Sequence, residues 1–481
     1  MFKWLKKIFN FNKKVVNNNM DKEYLSRLIM DFLKSQVRKD MITGKKYYKG
    51  EQDILNKKRL VSDGEGRLIE DPRLINSKVV NNQYAKLVDQ KVNYILGKPL
   101  SFTCDDEVYL NSIKKILNKK FNKIIKYAAE NAMNCGIAFV HPYFNESGDF
   151  SFKIFNSEEI IPIWKDDIHE ELNYAIRVFD EVKYDNNLQK IVEKKVEVYK
   201  SEGVDEYIFK GNLQLINNNI PYITVSTGEE KQFFNWGRVP IIPFKYNKYE
   251  IPLINRVKSL QDGINKIISN FEDNMEEDIR NTIFVLVNFG GQDLAEFRND
   301  LSNGAINITT VDGVPGDVKT LKVEVNAENY KTVLDIFKKA IIENGKGFDS
   351  KDDRLGGNPN ELNIRSMYAD IDLDSNNMEL EFQSSIESLI EFINIYLGIE
   401  PRTPLDIIFD RDVLVNETQT IENCVKSVGI LSDETIISMH PWVKDPKKEF
   451  QKLKKQKEEE TEEYNGAFKN KNGSGDVDEE E

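Results

Sequence analysis

Apolar residues recur every three or four positions over residues 363–397, and this long unbroken period limits the folds that the chain can adopt. At about 1.5 Å per residue, a helix over this segment is about 50 Å long. A chain of 481 residues has room for two to four domains, or for one extended molecule with several modules. Either arrangement has to accommodate this helix, whose apolar stripe consists of Ile364, Tyr368, Ile371, Met378, Phe382, Leu389, Ile393 and Tyr396.

Acidic residues in the same segment allow a second interpretation. Asp370, Asp372, Asp374 and Glu381 have the spacing of positions 1, 3, 5 and 12 of a calcium-binding loop, but position 6, which needs glycine, is Ser375. On a helix, Asp370, Asp374 and Glu381 lie on one flank of the apolar stripe. Because the helical period continues through the segment, the sequence favours a helix with a charged acidic flank. A calcium-dependent structural protein with an EF-hand-like segment at 370–381 is the alternative.

The first half of the chain changes its period once. Residues 21 to about 140 repeat apolar side chains at three and four positions, which predicts helices. From about Ile137 the period is two, in short runs of β-branched and aromatic residues separated by Asn, Asp and Gly. This pattern predicts a mostly antiparallel sheet that ends near Phe244.

Two further helices are predicted over 253–279 and 326–345. The residues between them have the pattern of three short strands and one short helix, a small αβ insert. The stretch 346–362 is charged and contains glycines and a proline, so it predicts an exposed loop. After Gly398 we predict a small helical module, with an apolar core of Ile421, Val425, Val428, Ile430, Leu431, Ile436, Ile437 and Trp442.

The two ends of the chain differ from the rest. At the start, Phe2, Leu5, Ile8 and Phe9 lie on one helical face among lysines. This pattern predicts a mobile terminus or a packing helix, with docking on a partner or on a membrane surface as the alternatives. Residues 456–481 are acidic and almost without large apolar side chains, which predicts a disordered tail.

Composition and motifs argue against several functional classes. The net charge is −13, from 67 basic and 80 acidic residues, which disfavours tight binding of nucleic acid by the whole molecule. The three cysteines form no C-x-x-C motif, and no apolar run is long enough to span a membrane. Phosphate-loop, dinucleotide, G-x-S-x-G and H-E-x-x-H motifs are absent, and His141, His169 and His440 are widely spaced. We therefore predict no catalytic residue, no metal site and no cofactor; an enzyme that works through paired carboxylates is a weaker rival.

Three segments resemble the portal proteins of tailed bacteriophages, in the branch found in long-tailed phages of Gram-positive hosts. The most specific is "GILSDETIISMHPWV" at 429–443; "YADIDLDSNNMELEF" at 368–382 is similar to the family's long channel helix, and "NQYAKLVDQKVNYILGKPLSF" at 82–102 is a third match. The resemblance covers residues 24–455. At "GGNPNELNIRS", 356–366, the chain departs from its relatives, which often have small residues there.

This resemblance implies an α+β fold of portal-like architecture, with a helical and antiparallel-sheet wing, a long-helix stem, a small αβ clip and a helical crown. It implies a ring, a dodecamer, at the capsid vertex that conducts double-stranded DNA during packaging and ejection. The implied partners are the terminase large subunit, a head-completion or adaptor protein, the major capsid and scaffolding proteins and, transiently, double-stranded DNA, with no membrane. The implied location is the portal vertex of the virion, after assembly in the bacterial cytoplasm. The boundaries are a mobile N-terminus at 1–20, wing 21–252, stem helix 253–279, clip 280–325, stem helix 326–345, tunnel loop 346–362, long channel helix 363–398, crown 399–455 and acidic tail 456–481.

The resemblance also assigns roles to charged residues of the loop at 346–362. Lys346, Lys351, Arg354 and Asn358 are implied to contact DNA in the channel, while neighbouring aspartates limit the attraction. A solvated surface loop outside the channel is the alternative. The acidic composition of the chain agrees with a conduit, because each added phosphate contact strengthens salt-dependent binding.

Overall fold

The computed structural model describes residues 22–471, except for 63–64, 73, 146, 185–187, 228–229, 281–282, 289–308, 312, 322–326, 352–360, 401–402, 412–416 and 444. Within these residues the chain is a mixed α+β structure that divides into two compact units. The first unit contains Met1–Gly347 and Asp370–Asp412, and the second contains Phe348–Ala369 and Val413–Glu481. The predicted N-terminal segment 1–20 lies outside the described residues.

The first unit opens with a series of helices, and polar residues fix where most of them begin. Ser35, Asn82, Asp106 and Asn118 each accept a hydrogen bond from a backbone N–H in the first turn of the helix that follows. Each such cap satisfies a donor that the helix leaves unpaired and contributes about 1 kcal/mol. The helices are α1 (Lys22–Lys34), α2 (Gln36–Tyr48), α3 (Gln83–Leu96), α4 (Glu107–Ile116) and α5 (Lys119–Cys135).

Antiparallel strands follow α5, starting at Ile137, where the sequence changes to a period of two. Before α5 the chain has the short strands β1 (Leu60–Ser62), β2 (Leu68–Glu70) and β3 (Ser101–Thr103). The strands after α5 are β4 (Ile137–Phe144), β5 (Phe150–Phe155), β6 (Ile160–Trp164), β7 (Leu172–Tyr184), β8 (Lys190–Lys200), β9 (Gly203–Phe209), β10 (Leu213–Ile220), β11 (Ile223–Thr227), β12 (Glu230–Phe234) and β13 (Ile242–Lys245). One sheet has the order β10-β9-β8-β7-β6 and another the order β13-β4-β5; β1 pairs with β2, and β11 with β12. The larger sheet buries Ile176 and Val196 against Leu25 and Ile29 of α1.

A pair of helices then runs antiparallel: α6 (Ile254–Arg280) and α7 (Ala327–Asn344). Near one end of the pair the rings of Phe271 and Tyr330 lie 4.8 Å apart. Further back along α6, Gly263 faces the ring of Phe337. From Phe271 back to Gly263 the contacting residue of α7 moves forward, from Tyr330 to Phe337. The two helices therefore run in opposite directions.

The insert between these helices is described only in part. Its strands are β14 (Ile283–Val287), β15 (Thr310–Val311), β16 (Val314–Pro315) and β17 (Asp317–Leu321). Strand β14 pairs antiparallel with β17, and β15 pairs with β16. The predicted short helix lies outside the described residues.

The long helix α8 spans Glu361–Leu397 without a break. It contains the whole segment 370–381, so the helix interpretation is confirmed and the calcium-loop geometry is wrong. In the first unit, Met378, Phe382 and Leu389 of this helix are buried in the same core as α3 and α5. After it, β18 (Asp406–Ile408) pairs antiparallel with β3.

The apolar core predicted for the second unit is largely wrong. Ser432 caps the helix that begins at Asp433, as the sequence indicated. Val425, Val428, Ile430 and Trp442, however, are exposed at 68%, 65%, 80% and 72%. Helices of 10 and 7 residues have too little surface to cover so many apolar side chains. The helices are α9 (Glu417–Lys426), α10 (Asp433–Met439) and α11 (Pro446–Lys471).

The predicted disordered tail from 456 is also wrong as far as Lys471, where α11 ends. Lys, Glu and Gln are strong helix formers, and they dominate this part of the chain. Lys455 and Glu459 lie 3.7 Å apart at i and i+4, and Lys452 lies 2.8 Å from Glu449. Such pairs contribute about 0.2–0.5 kcal/mol each to a helix.

Candidate functional site

Asp374 of the long helix lies at the centre of a buried charged cluster. Its carboxylate is 2.9 Å from the Lys91 ammonium of α3 and 3.1 Å from the Arg256 guanidinium of α6. The Tyr246 hydroxyl, just after β13, donates a hydrogen bond to it at 2.5 Å. Lys346, after the end of α7, places its ammonium 3.7 Å away. We call these five residues the Asp374 cluster; they join five separate segments of the first unit.

Burial and pairing act in opposite directions on the groups of this cluster. Burial raises the pKa of Asp374, but Lys91, Tyr246 and Arg256 outweigh it and hold that pKa below its ordinary value. Burial lowers the pKa of Lys91, and its ion pair with Asp374 opposes that shift. Burial first, and then the neighbouring carboxylate, raise the pKa of Tyr246 well above its ordinary value, so the hydroxyl stays a donor. A buried carboxylate without such partners would be strongly unfavourable.

The end of α7 is fixed by the same cluster. The N–H of Gly347 donates to the Ile342 carbonyl at 2.8 Å and the N–H of Lys346 donates to the Glu343 carbonyl at 3.1 Å, which is the bonding pattern of a Schellman motif. The left-handed position of this motif, usually glycine, is Lys346 with φ of 51°. Its carbonyl oxygen accepts a hydrogen bond from the Lys91 ammonium at 2.9 Å. The cluster therefore stabilises a backbone conformation that lysine rarely adopts.

The first residues of the predicted loop also pack closely against α3. A Cβ atom at Gly345 or at Gly347 would overlap the side chain of Leu87. Glycine at both positions allows the chain to leave α7 in contact with the core of the first unit. The base of the loop is thus held in place, and it does not project into solvent as the polar sequence predicted.

The four predicted DNA-contacting residues have different positions. Lys346 is in the Asp374 cluster with 40% of its side chain exposed. Lys351, in the second unit, is exposed, and its backbone N–H donates to the Asp349 carboxylate at 3.0 Å. Arg354 and Asn358 lie outside the described residues.

Acidic residues of α8 outside the cluster are mostly paired. Arg411 lies 2.9 Å from Asp372 and 2.6 Å from Glu379. Glu381 lies 2.9 Å from the Lys245 ammonium. Asp370, by contrast, is exposed. The prediction of a charged surface flank is therefore wrong for Asp374, which is buried, and Glu381 is only partly exposed.

The cationic partners were not found from the sequence, although one of them had a visible signal. Lys91 occupies the same helical face as Leu87 and Ile95, four residues away on each side, and all three are buried. A lysine inside an apolar stripe predicts a buried cation that needs an anion. No comparable pattern marks Arg256 or Arg411.

Comparison with known families identifies the class of the protein. The family model described as "Phage portal protein, SPP1 Gp6-like" matches residues 34–463. The chain belongs to the phage portal protein family. The resemblance found in the sequence is thereby confirmed.

Two portal proteins of phages with Gram-positive hosts are similar over most of their length. The portal protein of Clostridium phage phiCD119 is 30% identical over 423 residues, which cover 85% of this chain and 90% of that protein. The portal protein of Bacillus phage SPP1 is 26% identical over 454 residues, covering 92% and 88%. A solved structure described as "Neck of native GTA particle computed with C12 symmetry" matches with a TM-score of 0.37 and 12% identity, covering 74% of this chain and 87% of that one.

The portal family is a structural family rather than a known enzyme family, and its phage members are virion components. Among the described helices, none has both the length and the hydropathy that a membrane span requires. Within the same residues, no group of three or more His, Cys, Asp or Glu side chains is placed to hold a metal ion.

Proposed function

We propose that this chain forms a ring, a dodecamer, at one vertex of the capsid, and that double-stranded DNA passes through the ring during packaging and ejection. The observation that supports this function most directly is the family match over residues 34–463. The ring assembles in the host cytoplasm with the major capsid and scaffolding proteins. It then binds the terminase large subunit and, after packaging, a head-completion or adaptor protein.

The antiparallel helices α6 and α7 are proposed as the stem, and the insert 280–325 as the clip that docks the terminase. The helices and sheets before α6 form the wing, and 399–455 form the crown. A stem of two antiparallel helices supports this assignment because it returns the chain and leaves the insert at one end. A chain that lacks 280–325, with Ile279 joined to Asn326 by a short linker, should keep the wing fold and lose terminase binding and packaging.

Residues 346–362 are proposed as the tunnel loop, with Lys346, Lys351, Arg354 and Asn358 contacting DNA. The lysines and the arginine among these residues support this role, because their positive charges can each contact a phosphate. The charges are mixed, so attraction to phosphate is brief and screened within about 8 Å at physiological salt. Asp370, Asp374 and Glu381 belong to the helix that follows the loop.

The test uses the double variant Lys351→Glu with Arg354→Glu, and a control with Lys49→Glu and Lys248→Glu, which are exposed lysines of the first unit. Electron microscopy of the purified proteins reports ring formation, and the length of protected DNA reports packaging. We expect rings from both variants and defective packaging or retention of DNA only with the loop variant. Normal packaging by the loop variant would remove the loop from the DNA path, and absence of rings from the unchanged protein would refute the ring itself.

A further inference from the structure

A short part of this acidic chain is strongly basic. Residues 112–127 contain Lys114, Lys115, Lys119, Lys120, Lys123 and Lys126, and no acidic residue. The chain as a whole has 67 basic and 80 acidic residues, so this stretch opposes the general charge. Its position is the end of α4 and the start of α5, joined at Leu117 and Asn118.

The structure exposes most of these lysines and fixes the backbone that carries them. Lys114, Lys115, Lys119, Lys120 and Lys123 are exposed, and we call them the lysine patch. The cap at Asn118 orders the turn between the helices. Ile113, Phe121 and Ile125 are buried at 0–1% exposure and hold both helices against the core. The patch is therefore a rigid surface and not a flexible tail.

The charges of the patch are not neutralised by the residues that the structure describes. In the part of the molecule that the structure describes, no carboxylate lies within ion-pair distance of any of the five ammonium groups; Lys123 lies 5.5 Å from the ring of Tyr127. Elsewhere on the surface, lysines have acidic partners: Lys183 lies 3.2 Å from Glu193, and Lys195 lies 2.8 Å from Glu181. Unpaired like charges held together repel each other, so an external anion stabilises this surface.

We propose that the lysine patch binds the phosphate backbone of double-stranded DNA without regard to sequence. Lys119 and Lys123 are four residues apart on α5, about 6 Å along the helix axis. Such a row of flexible point charges suits the repeated charges of a phosphate backbone and requires no exact geometry. The patch lies outside the loop 346–362, and its binding does not depend on the role proposed for that loop.

A protein partner fits this surface less well. Lysine is depleted in protein–protein interfaces, which depend on apolar and aromatic anchors at their centre. The large apolar side chains exposed on α4 and α5 in the structure are Val108 and Tyr127. Val108 lies six residues before Lys114, and Tyr127 lies beside Lys123. The centre of the patch is thus purely cationic.

The test measures binding of the purified full chain to a labelled 30-base-pair duplex by fluorescence anisotropy at several salt concentrations. Five phosphate contacts predict a slope of about −4.5 for log K against log salt, a loss of roughly 500-fold in affinity between 50 and 200 mM. Changing all five patch lysines to Gln should reduce the magnitude of the slope by about 4. The matched control changes Lys447, Lys448, Lys452, Lys454 and Lys455 of α11 to Gln, which removes the same charge from exposed positions and should change the slope by less than 1.

Two outcomes overturn the proposal. An equal decrease of the salt slope in the patch variant and in the control would show a general charge effect. An unchanged slope in the patch variant would show that the patch does not contact DNA. Mass photometry checks the oligomeric state, because a patch that contacts a neighbouring copy would alter assembly instead.

If the variant with all five lysines changed does not assemble, the double variant Lys119→Gln with Lys123→Gln is measured in its place. With normal assembly, a decrease of about 2 in the magnitude of the salt slope supports DNA binding, and an unchanged slope refutes it. The same measurement in the Lys351→Glu and Arg354→Glu background separates the patch from the loop.

Discussion

Replacing Asp374 by Asn removes the carboxylate that Lys91, Arg256 and Tyr246 share and nearly keeps the shape of the side chain. Lys91, with 2% of its side chain exposed, then holds a charge without a paired anion. Removal of one partner from a buried ion pair costs about 3–5 kcal/mol. Lys91→Met should cost less, because Arg256 at 3.1 Å and Lys346 at 3.7 Å still neutralise the carboxylate. The expected order of destabilisation is therefore Asp374→Asn above Lys91→Met.

Native-state hydrogen exchange measures the loss of stability in the segments around Asp374. A local loss of about 3 kcal/mol accelerates exchange roughly 100- to 200-fold. Peptides that cover α3 and residues 340–347 should show the acceleration, while β7 and β8 keep their protection. The double variant Lys91→Met with Asp374→Leu should recover much of the loss, because an apolar pair avoids the cost of desolvating charges. Unchanged protection in Asp374→Asn, or a larger effect in Lys91→Met, would refute this reasoning.

Three further predictions concern packing, acid stability and the exposed tryptophan. Gly44→Ala should destabilise the protein by about 1–3 kcal/mol in thermal unfolding, because its Cβ would overlap the backbone carbonyl of Asn134; Lys46→Ala, at an exposed position of α2, should have almost no effect. Burial lowers the pKa of His141 to about 3 from its ordinary 6.5, so the unfolded chain binds a proton that the folded chain does not. The contribution of neutral His141 to the free energy of unfolding is complete above pH 6.5 and is lost as the pH decreases toward 3, by about 1.4 kcal/mol per pH unit. His141→Phe should lack this part of the acid dependence. Identical profiles of unfolding free energy against pH for the variant and the unchanged protein would contradict this prediction. Trp442→Ala should leave the melting temperature unchanged, since the side chain is 72% exposed, and a loss of several degrees would show that it is packed.

The sequence predicted the long helix well because one physical signal determined it. The apolar period at 363–397 has to face a core, and the structure has α8 over Glu361–Leu397. The start of the sheet at Ile137 was equally clear, because a period of two cannot continue a helix. The long helix and the start of the sheet both depend on the pattern of residues that are close together in the sequence.

The partners of the acidic residues could not be predicted in this way. Lys91 and Asp374 are 283 positions apart, and only the packing of α3 against α8 brings them to 2.9 Å. The period of α8 assigned Asp374 to a flank of the stripe but could not show whether that flank was covered. The exposed Val425 in α9 and Ile430 in the turn after it are the opposite case, because an apolar residue in a short segment does not reveal whether enough surface exists to bury it.

The Schellman turn at Lys346 makes the end of α7 sensitive to its ionic surroundings. Glycine would adopt the left-handed conformation at lower cost, by about 1 kcal/mol. The contact between Lys346 and Asp374 is long, at 3.7 Å, and its ammonium is partly in solvent, so salt screens it. The contact between Lys91 and Asp374 is almost fully enclosed and is screened much less. A dense polyanion beside this turn therefore competes with Asp374 for the partly exposed ammonium of Lys346, and it can take that charge without opening the buried pair of Lys91 and Asp374.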